Sequence, residues 1–241
     1  MNEVRDYYET YWSVNGFCPR GRIWPELSAV YQQHIPANSK ILDVGCGDGH
    51  TSGVWLRDHG HDYIGVDISE NAVRNARSID INAYRIEDAA SLPFSDETFD
   101  AVVCIEVLEH LFAPQRALKE ILRVLKPGRG VLIATVPNVA FWRLRLDFFL
   151  LGRWNPIGDD HSAKEPWHDP HIRFFTVGTF KRLMMKMGFV SIKIGGHGGG
   201  FLMFIPGLRR LAGKNCSWLY RQLEKCAPSI FAYRIGAICH K

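Results

Sequence analysis

Asp43, Asp67, Asp88 and Glu106 recur at comparable points of one repeating pattern, each ending or following a short apolar run. Asp43 stands just before a turn, Gly45-Cys46-Gly47-Asp48-Gly49. Glycines there let the backbone turn tightly and approach a ligand closely. The spacing is not the dinucleotide fingerprint, because position 50 is His50, and no Gly-Lys-Ser/Thr follows to make a phosphate loop. Asp67 lies 22 residues after Gly45, an offset at which an acid can grip ribose hydroxyls in a doubly wound sheet. Four carboxylates on one edge would repel a pyrophosphate. They would attract a nucleoside carrying a ribose, an adenine amine and positive charge.

A second group of chemically able residues is Glu106-Val107-Leu108-Glu109-His110. If this stretch is helical, positions 106, 109 and 110 share one face. His110 is the best-placed base for a hydroxyl, and a packing or capping histidine is the alternative. Further on, Trp167-His168-Asp169-Pro170-His171-Ile172-Arg173-Phe174-Phe175-Thr176 offers His168, His171 and Arg173, with His161 just before it. These are candidates for an acceptor pocket, or parts of a packed lid. Tyr7, Tyr8, Tyr11 and Trp12 form an aromatic cluster ahead of the core. They fit a lid over the cofactor or a helix half-buried against the sheet.

These residues need an alternation of strands and helices to bring them together. The expected strands are 40–44, 61–67, 81–86, 99–105 and 130–136. The expected helices between them are 51–59, 69–77 with Ser69 as its cap, and 114–126 with Pro114 in its first turn. Later come a helix over 177–187, capped by Thr176 and stopped by Gly188, and a strand over 189–194. A glycine hinge over 195–200, a helical stretch 206–226 and a final strand 231–239 follow. Residues 138–153 give no clean signal, and 155–171 read as a long loop. Strands joined by single helices make a mostly parallel sheet covered on both faces. Its ligands sit at the carboxyl ends of the strands.

The chain has 241 residues, 46% hydrophobic and 22% charged, which suits a soluble α/β globule. The first residues lack the basic and apolar regions of a signal peptide, and no stretch has the roughly 18 apolar residues of a spanning helix. Cys18, Cys46, Cys104, Cys216, Cys226 and Cys239 show no metal-ligand spacing, so they read as free thiols of a cytoplasmic protein. The net charge of +4 is uneven. Residues 201–241 hold seven Lys or Arg against one Glu, while residues 1–200 are slightly acidic. That disfavours a general polyanion surface over the cofactor region. Phe201, Leu202, Phe204 and Ile205 beside Arg209 and Arg210 give the basic segment two readings: contact with an anionic membrane, or an insertion packed on the domain.

Residues 40–138 resemble the core of class I S-adenosylmethionine-dependent methyltransferases. The likeness extends to the loop Glu87-Asp88-Ala89-Ala90-Ser91-Leu92-Pro93-Phe94, to Phe99-Asp100 and to Leu125-Lys126-Pro127-Gly128-Arg129-Gly130. The resemblance implies a doubly wound, seven-stranded, mostly parallel α/β sheet in the order 3-2-1-4-5-7-6, with the last strand antiparallel. It implies that S-adenosylmethionine is the cofactor. Asp43 and the turn Gly45, Cys46, Gly47 and Gly49 would cradle its methionine part. Asp67 would hold the ribose, Ile68 would pack on the adenine, Asp88 and Ala89 would meet the adenine amine, and Glu106 would close the same edge. His110 and His171 are the expected catalytic residues.

The implied organisation is lid helices over 1–39 and a methyltransferase domain over 40–241. An acceptor-side insert spans 138–175, and a basic amphipathic segment spans 201–228. The insert resembles methyltransferase-like proteins associated with methionine biosynthesis and relatives from surface-polysaccharide clusters. The expected reaction is methyl transfer, at oxygen, to a small-molecule, sugar- or lipid-linked acceptor, with nucleic acid disfavoured. Two alternatives stay open: a non-catalytic regulatory partner, and an RNA 2′-O-methyltransferase in which Glu106, Glu109, His110 and His171 hold a divalent ion. The latter rests on the ExxEH element, which some quinone O-methyltransferases share.

Overall fold

The structure is a computed structural model that describes residues 2–15, 23–154, 167, 169–198 and 214–241. His161, His168 and the apolar and basic stretch 201–213 lie outside the described residues.

The first strand, β1 (Lys40–Val44), is buried from its second residue on. It pairs in parallel with β2 (Asp62–Asp67) on one side and β4 (Ala101–Ile105) on the other. Beyond β2 lies β3 (Ala83–Arg85), and beyond β4 lies β5 (Val131–Pro137), all parallel. The sheet continues through β7 (Arg234–His240) to β6 (Val190–His197), giving the order β3-β2-β1-β4-β5-β7-β6. Only β7 runs against the others. This is the expected topology.

Alternation along the strands feeds two apolar layers. Leu42, Val44, Val102, Cys104, Leu132, Ala134 and Val136 face one layer, and Ile41, Ala101, Val103, Ile105, Val131 and Ile133 face the other. The first is covered by α5 (Pro114–Val124), through Leu118, Ile121 and Val124, and by α7 (Val177–Met187), through Phe180 and Met184. The second is covered by α2 (Pro25–His34), α3 (Gly53–Asp58) and α4 (Glu70–Arg77). Burial on both faces explains why these strands read as near-continuous apolar runs.

Cap chemistry fixed several boundaries. Ser69 accepts from the backbone N–H of Ala72 and starts α4. Thr176 and Thr179 form a reciprocal capping box, and Gly188, at φ 97°, ends α7 in the left-handed region. Elsewhere the expectations need correction. Residues 138–153 contain a helix, α6 (Trp142–Leu151), ended by Gly152 at φ 62°. The stretch 195–197 is no hinge: it pairs with β7 as part of β6. Glycine is required at 196 because Pro228 and Ala232 pack where a side chain would stand. Pro228 opens and Ala232 caps the short α9 (Pro228–Phe231), which follows α8 (Lys214–Cys226). The final strand therefore begins at Arg234, not Phe231.

At the amino end, α1 (Asn2–Asn15) and α2 part company. α2 buries Leu27 and Tyr31 in the second layer, and the Tyr31 hydroxyl shares a 2.8 Å hydrogen bond with Ser52. α1 lies over the carboxyl edge of the sheet.

Candidate active site

A cavity of about 430 Å³ opens at the carboxyl ends of β1, β2 and β4, with Val4, Tyr8 and Trp12 of α1 across it. That volume suits a small-molecule or cofactor site. Asp43, Gly45, Cys46, Gly47, Asp67, Ile68, Asp88, Ala89, Glu106 and His110 all line it. Gly49 and His171 do not. Gly49 backs onto Ile81, and His171 stands behind His110.

The turn after β1 is held by the end of β2. One Asp67 oxygen accepts from the Gly47 N–H at 2.9 Å, and the other accepts from the Ser69 N–H at 3.0 Å. Gly45 has φ 77°, and a side chain there would collide with Val107. Gly47 has φ 55°, and the Trp12 ring passes 2.7 Å from where its Cβ would be. Both glycines are thus required by conformation and by close neighbours.

The carboxylates do not behave alike. Burial pushes Asp43 up to about 7, opposed by the 2.8 Å hydrogen bond from the Tyr63 hydroxyl and reinforced by Asp67. Burial also raises Asp67, restrained by the backbone N–H groups of Ser69 and Gly47. Asp88 accepts from the Ala90 N–H at 2.8 Å and shapes the loop beside Ala89. Glu106 departs from the expectation that all four negative charges serve the ligand. Its carboxylate pairs with Arg234 of β7 at 2.9 Å and accepts from Thr135 at 2.9 Å. Cys46 is buried, which pushes its thiol well up and leaves it a packing residue.

The segment after β4 is a 3₁₀ turn (Leu108–His110), and Glu106 has φ 56°. The expected shared helical face of 106, 109 and 110 therefore does not form. Glu106 turns toward β7, while Glu109 and His110 turn toward residues 170–173. There His171 joins them, its ring stacked on His110 at 4.5 Å. One Glu109 oxygen stands 3.8 Å from His110 Nε2 and 3.7 Å from His171 Nε2. Neither Glu109 side-chain oxygen has a hydrogen-bond partner, and the residue is 1% exposed.

Burial raises Glu109 to about 7, against the pull of His171. Burial lowers His110 to about 4, helped by His171. His171 is raised: burial opposes this, but the Glu109 and Asp169 carboxylates outweigh it. Burial thus favours an uncharged His110, while the Glu109 and Asp169 carboxylates favour a charged His171.

Two contributors escaped the sequence reading. Asp169 orients His171 through a 2.9 Å contact to Nδ1. Glu9 of α1 accepts from the N–H groups of Glu70 and Asn71, at 2.7 and 3.0 Å, and from the Ser69 hydroxyl at 3.0 Å. A carboxylate at the amino end of α4 also complements the helix dipole. It fastens α1 across the cavity, about sixty residues away in sequence.

Comparison with known proteins agrees with this geometry. A family profile described as a methyltransferase domain matches residues 42–134. A tRNA (carboxymethyluridine(34)-5-O)-methyltransferase of Arabidopsis thaliana is 35% identical over 62% of this chain and 37% of its own length. A ubiquinone biosynthesis O-methyltransferase of Coxiella burnetii is 32% identical over 56% of this chain and 61% of its own. The chain therefore spans less than two thirds of the length of these relatives. Among solved structures, phosphoethanolamine N-methyltransferase 2 of Haemonchus contortus, in complex with S-adenosyl-L-methionine, superposes with a TM-score of 0.63 at 18% identity. That match covers 90% of this chain and 52% of the other. Profile, relatives and strand order agree: residues 42–134 match a methyltransferase domain, carried on the seven-stranded fold of class I S-adenosylmethionine-dependent methyltransferases.

Proposed function

We propose that the protein transfers the methyl group of S-adenosylmethionine to a hydroxyl oxygen of a small-molecule, sugar- or lipid-linked acceptor. The observation that carries this reading is the division of one cavity into two ends. Asp43, Asp67 and Asp88 with the glycine turn suit a cationic nucleoside at one end. His110, backed by Glu109 and His171, stands at the other. Asp43 and the turn hold the methionine part, Asp67 the ribose, and Ile68, Asp88 and Ala89 the adenine. Tyr8 and Trp12 of α1 form the lid.

Methyl transfer from a sulfonium is an in-line displacement with an activated leaving group, so the protein mainly positions the two reactants. The acceptor oxygen forms the new bond to the methyl carbon as the carbon–sulfur bond breaks, leaving a neutral thioether. The hydroxyl proton passes to His110 Nε2, where the Glu109 carboxylate stabilises the imidazolium. An apolar acceptor is supported at the mouth, where Phe112 lines the cavity while 67% exposed. A separate exposed aromatic run outside the cavity lining joins Phe148 to Trp154 at 6.0 Å and Trp154 to Phe174 at 5.5 Å.

Among the described residues no helix is long and apolar enough to cross a membrane. Cys46, Cys104, Cys226 and Cys239 are free thiols, which supports a reducing, cytoplasmic setting. The Arabidopsis relative favours a second reading, in which a tRNA is the acceptor. Transfer of a labelled methyl group into separated lipid, small-molecule and RNA fractions tests both. Label in an alkali-stable ether of a non-nucleic fraction, lost in His110→Ala, is the expected result. Label in RNA alone would overturn it.

A further inference from the structure

The group that backs His110 is built like a metal site. We propose that Glu109, His110 and His171 bind a divalent first-row transition-metal ion whose open positions face the acceptor, and that Glu106 is not a ligand. The inference rests on the proposed hydroxyl acceptor for the role of the ion, but not for its existence.

The three side chains offer ligand atoms that all lie within 4.8 Å of one another. The separations of 3.7 and 3.8 Å from the Glu109 oxygen to the two Nε2 atoms are too long for hydrogen bonds. They suit atoms that share a central ion at about 2.0–2.2 Å each. A carboxylate that is 1% exposed and has no hydrogen-bond donor on either oxygen is otherwise a costly thing to bury. A cation between it and two imidazoles removes that cost.

The surroundings of the histidines point the same way. His110 Nδ1 meets the Pro170 carbonyl at 3.2 Å, an oxygen that can only accept, so the proton sits on Nδ1. His171 Nδ1 meets the Asp169 carboxylate at 2.9 Å. Both contacts leave Nε2 as the free lone pair and aim it at Glu109. This is how histidine ligands are oriented by outer acceptors. The two ligand-bearing segments are also locked in register, because the Glu109 carbonyl accepts from the N–H groups of Ile172 and Arg173.

Glu106 is excluded by position: its oxygens are spent on Arg234 and Thr135. The set is therefore two imidazoles and one carboxylate, which suits Zn²⁺, Fe²⁺, Co²⁺ or Mn²⁺ better than the all-oxygen preference of Mg²⁺. Three protein ligands leave room for an acceptor oxygen beside His110, which lines the cavity. Coordination would lower the pKa of that hydroxyl. With its Nε2 on the ion, His110 would no longer take the proton as it does in the metal-free step, so the proton would leave to solvent, and the oxygen would then displace the thioether from the methyl carbon.

The test is titration of chelator-treated, full-length protein with Co²⁺, followed by visible absorption, with a parallel titration of S-adenosylmethionine as a check on folding. The expected result is one equivalent of Co²⁺ that resists a thousandfold excess of Mg²⁺. Binding should weaken at least tenfold in His171→Ala and in Glu109→Gln, and should stay within threefold in Glu106→Gln. Absence of Co²⁺ binding by the unmodified protein, loss of it in Glu106→Gln, or displacement by Mg²⁺ would overturn the proposal. Hydroxyl methylation that persists at full rate under chelation would overturn the ion's role in the reaction and leave the proposed function standing. Co²⁺ binding without hydroxyl methylation would do the reverse.

Discussion

At the acidic end of the cavity, Asp43, the glycine turn and Asp67 come from 25 consecutive residues that form β1, α3 and β2. At the other end, Glu109 and His110 meet a segment sixty residues further along the chain. The first end is pinned by backbone: two parallel strands in register and an aspartate that grips the N–H groups of Gly47 and Ser69. The second is assembled from side chains around a buried carboxylate, on a 3₁₀ turn and an insert. The first end suits the cationic cofactor, and under the proposed function the second would set the acceptor and its chemistry. The two should therefore fail separately when disturbed.

The largest separation is expected from Glu109→Gln. It removes the negative charge behind His110 and should lower kcat by roughly 10²–10⁴, the usual worth of acid–base assistance. Calorimetry should find cofactor affinity within threefold of the parent. A large loss of cofactor binding would erase the distinction between the ends. The converse variant, Asp67→Ala, leaves two backbone donors without an acceptor, at about 1–3 kcal/mol each. Cofactor affinity should fall on the order of 100-fold, while a Co²⁺ titration of the histidine end is unchanged.

A smaller effect is expected from pH. Asp43 holds its proton up to about 7 in the free protein because it is buried. A cationic ligand favours the ionised form, so binding below that value must expel a proton. Affinity for S-adenosylmethionine should rise by up to tenfold per pH unit between pH 5 and 7, then level off. Calorimetry in buffers of different ionisation heat reads the proton directly, and Asp43→Asn should abolish it. The smallest effect belongs to Glu9→Ala. It frees the amino end of α4 from its carboxylate, a loss of about 1 kcal/mol. Cofactor affinity should drop threefold to tenfold, and α1 should become more sensitive to protease. An unchanged cleavage rate would mean that α1 is held by Trp12 on Gly47 and not by Glu9.

The same contrast explains what the sequence disclosed. β1, β2 and α7 were legible because their signals are local: apolar runs ended by Gly45 and by Asp67, and a helix bounded by Thr176 and Gly188. The residues expected to hold the cofactor on β1 and β2 line the cavity together. The ion pair of Glu106 was not legible, because the sheet order brings its partner Arg234 beside it from the far end of the chain. Gly196 imitated part of a hinge, since packing against Pro228 and Ala232 demands the same residue as flexibility does. Glu9 and Asp169 gave no signal, because each acts on a partner that only the fold supplies. His171 was named from resemblance, yet its stacking on His110 and its line to Glu109 are consequences of where the insert returns.

Whether the acidic, glycine-lined end holds a positively charged nucleoside is tested most directly by calorimetric titration with S-adenosylmethionine at neutral pH, in the parent protein and in Asp67→Ala. The account predicts one equivalent of binding that the substitution weakens on the order of 100-fold. No uptake of the sulfonium by the parent protein, or equal uptake by both proteins, would contradict it.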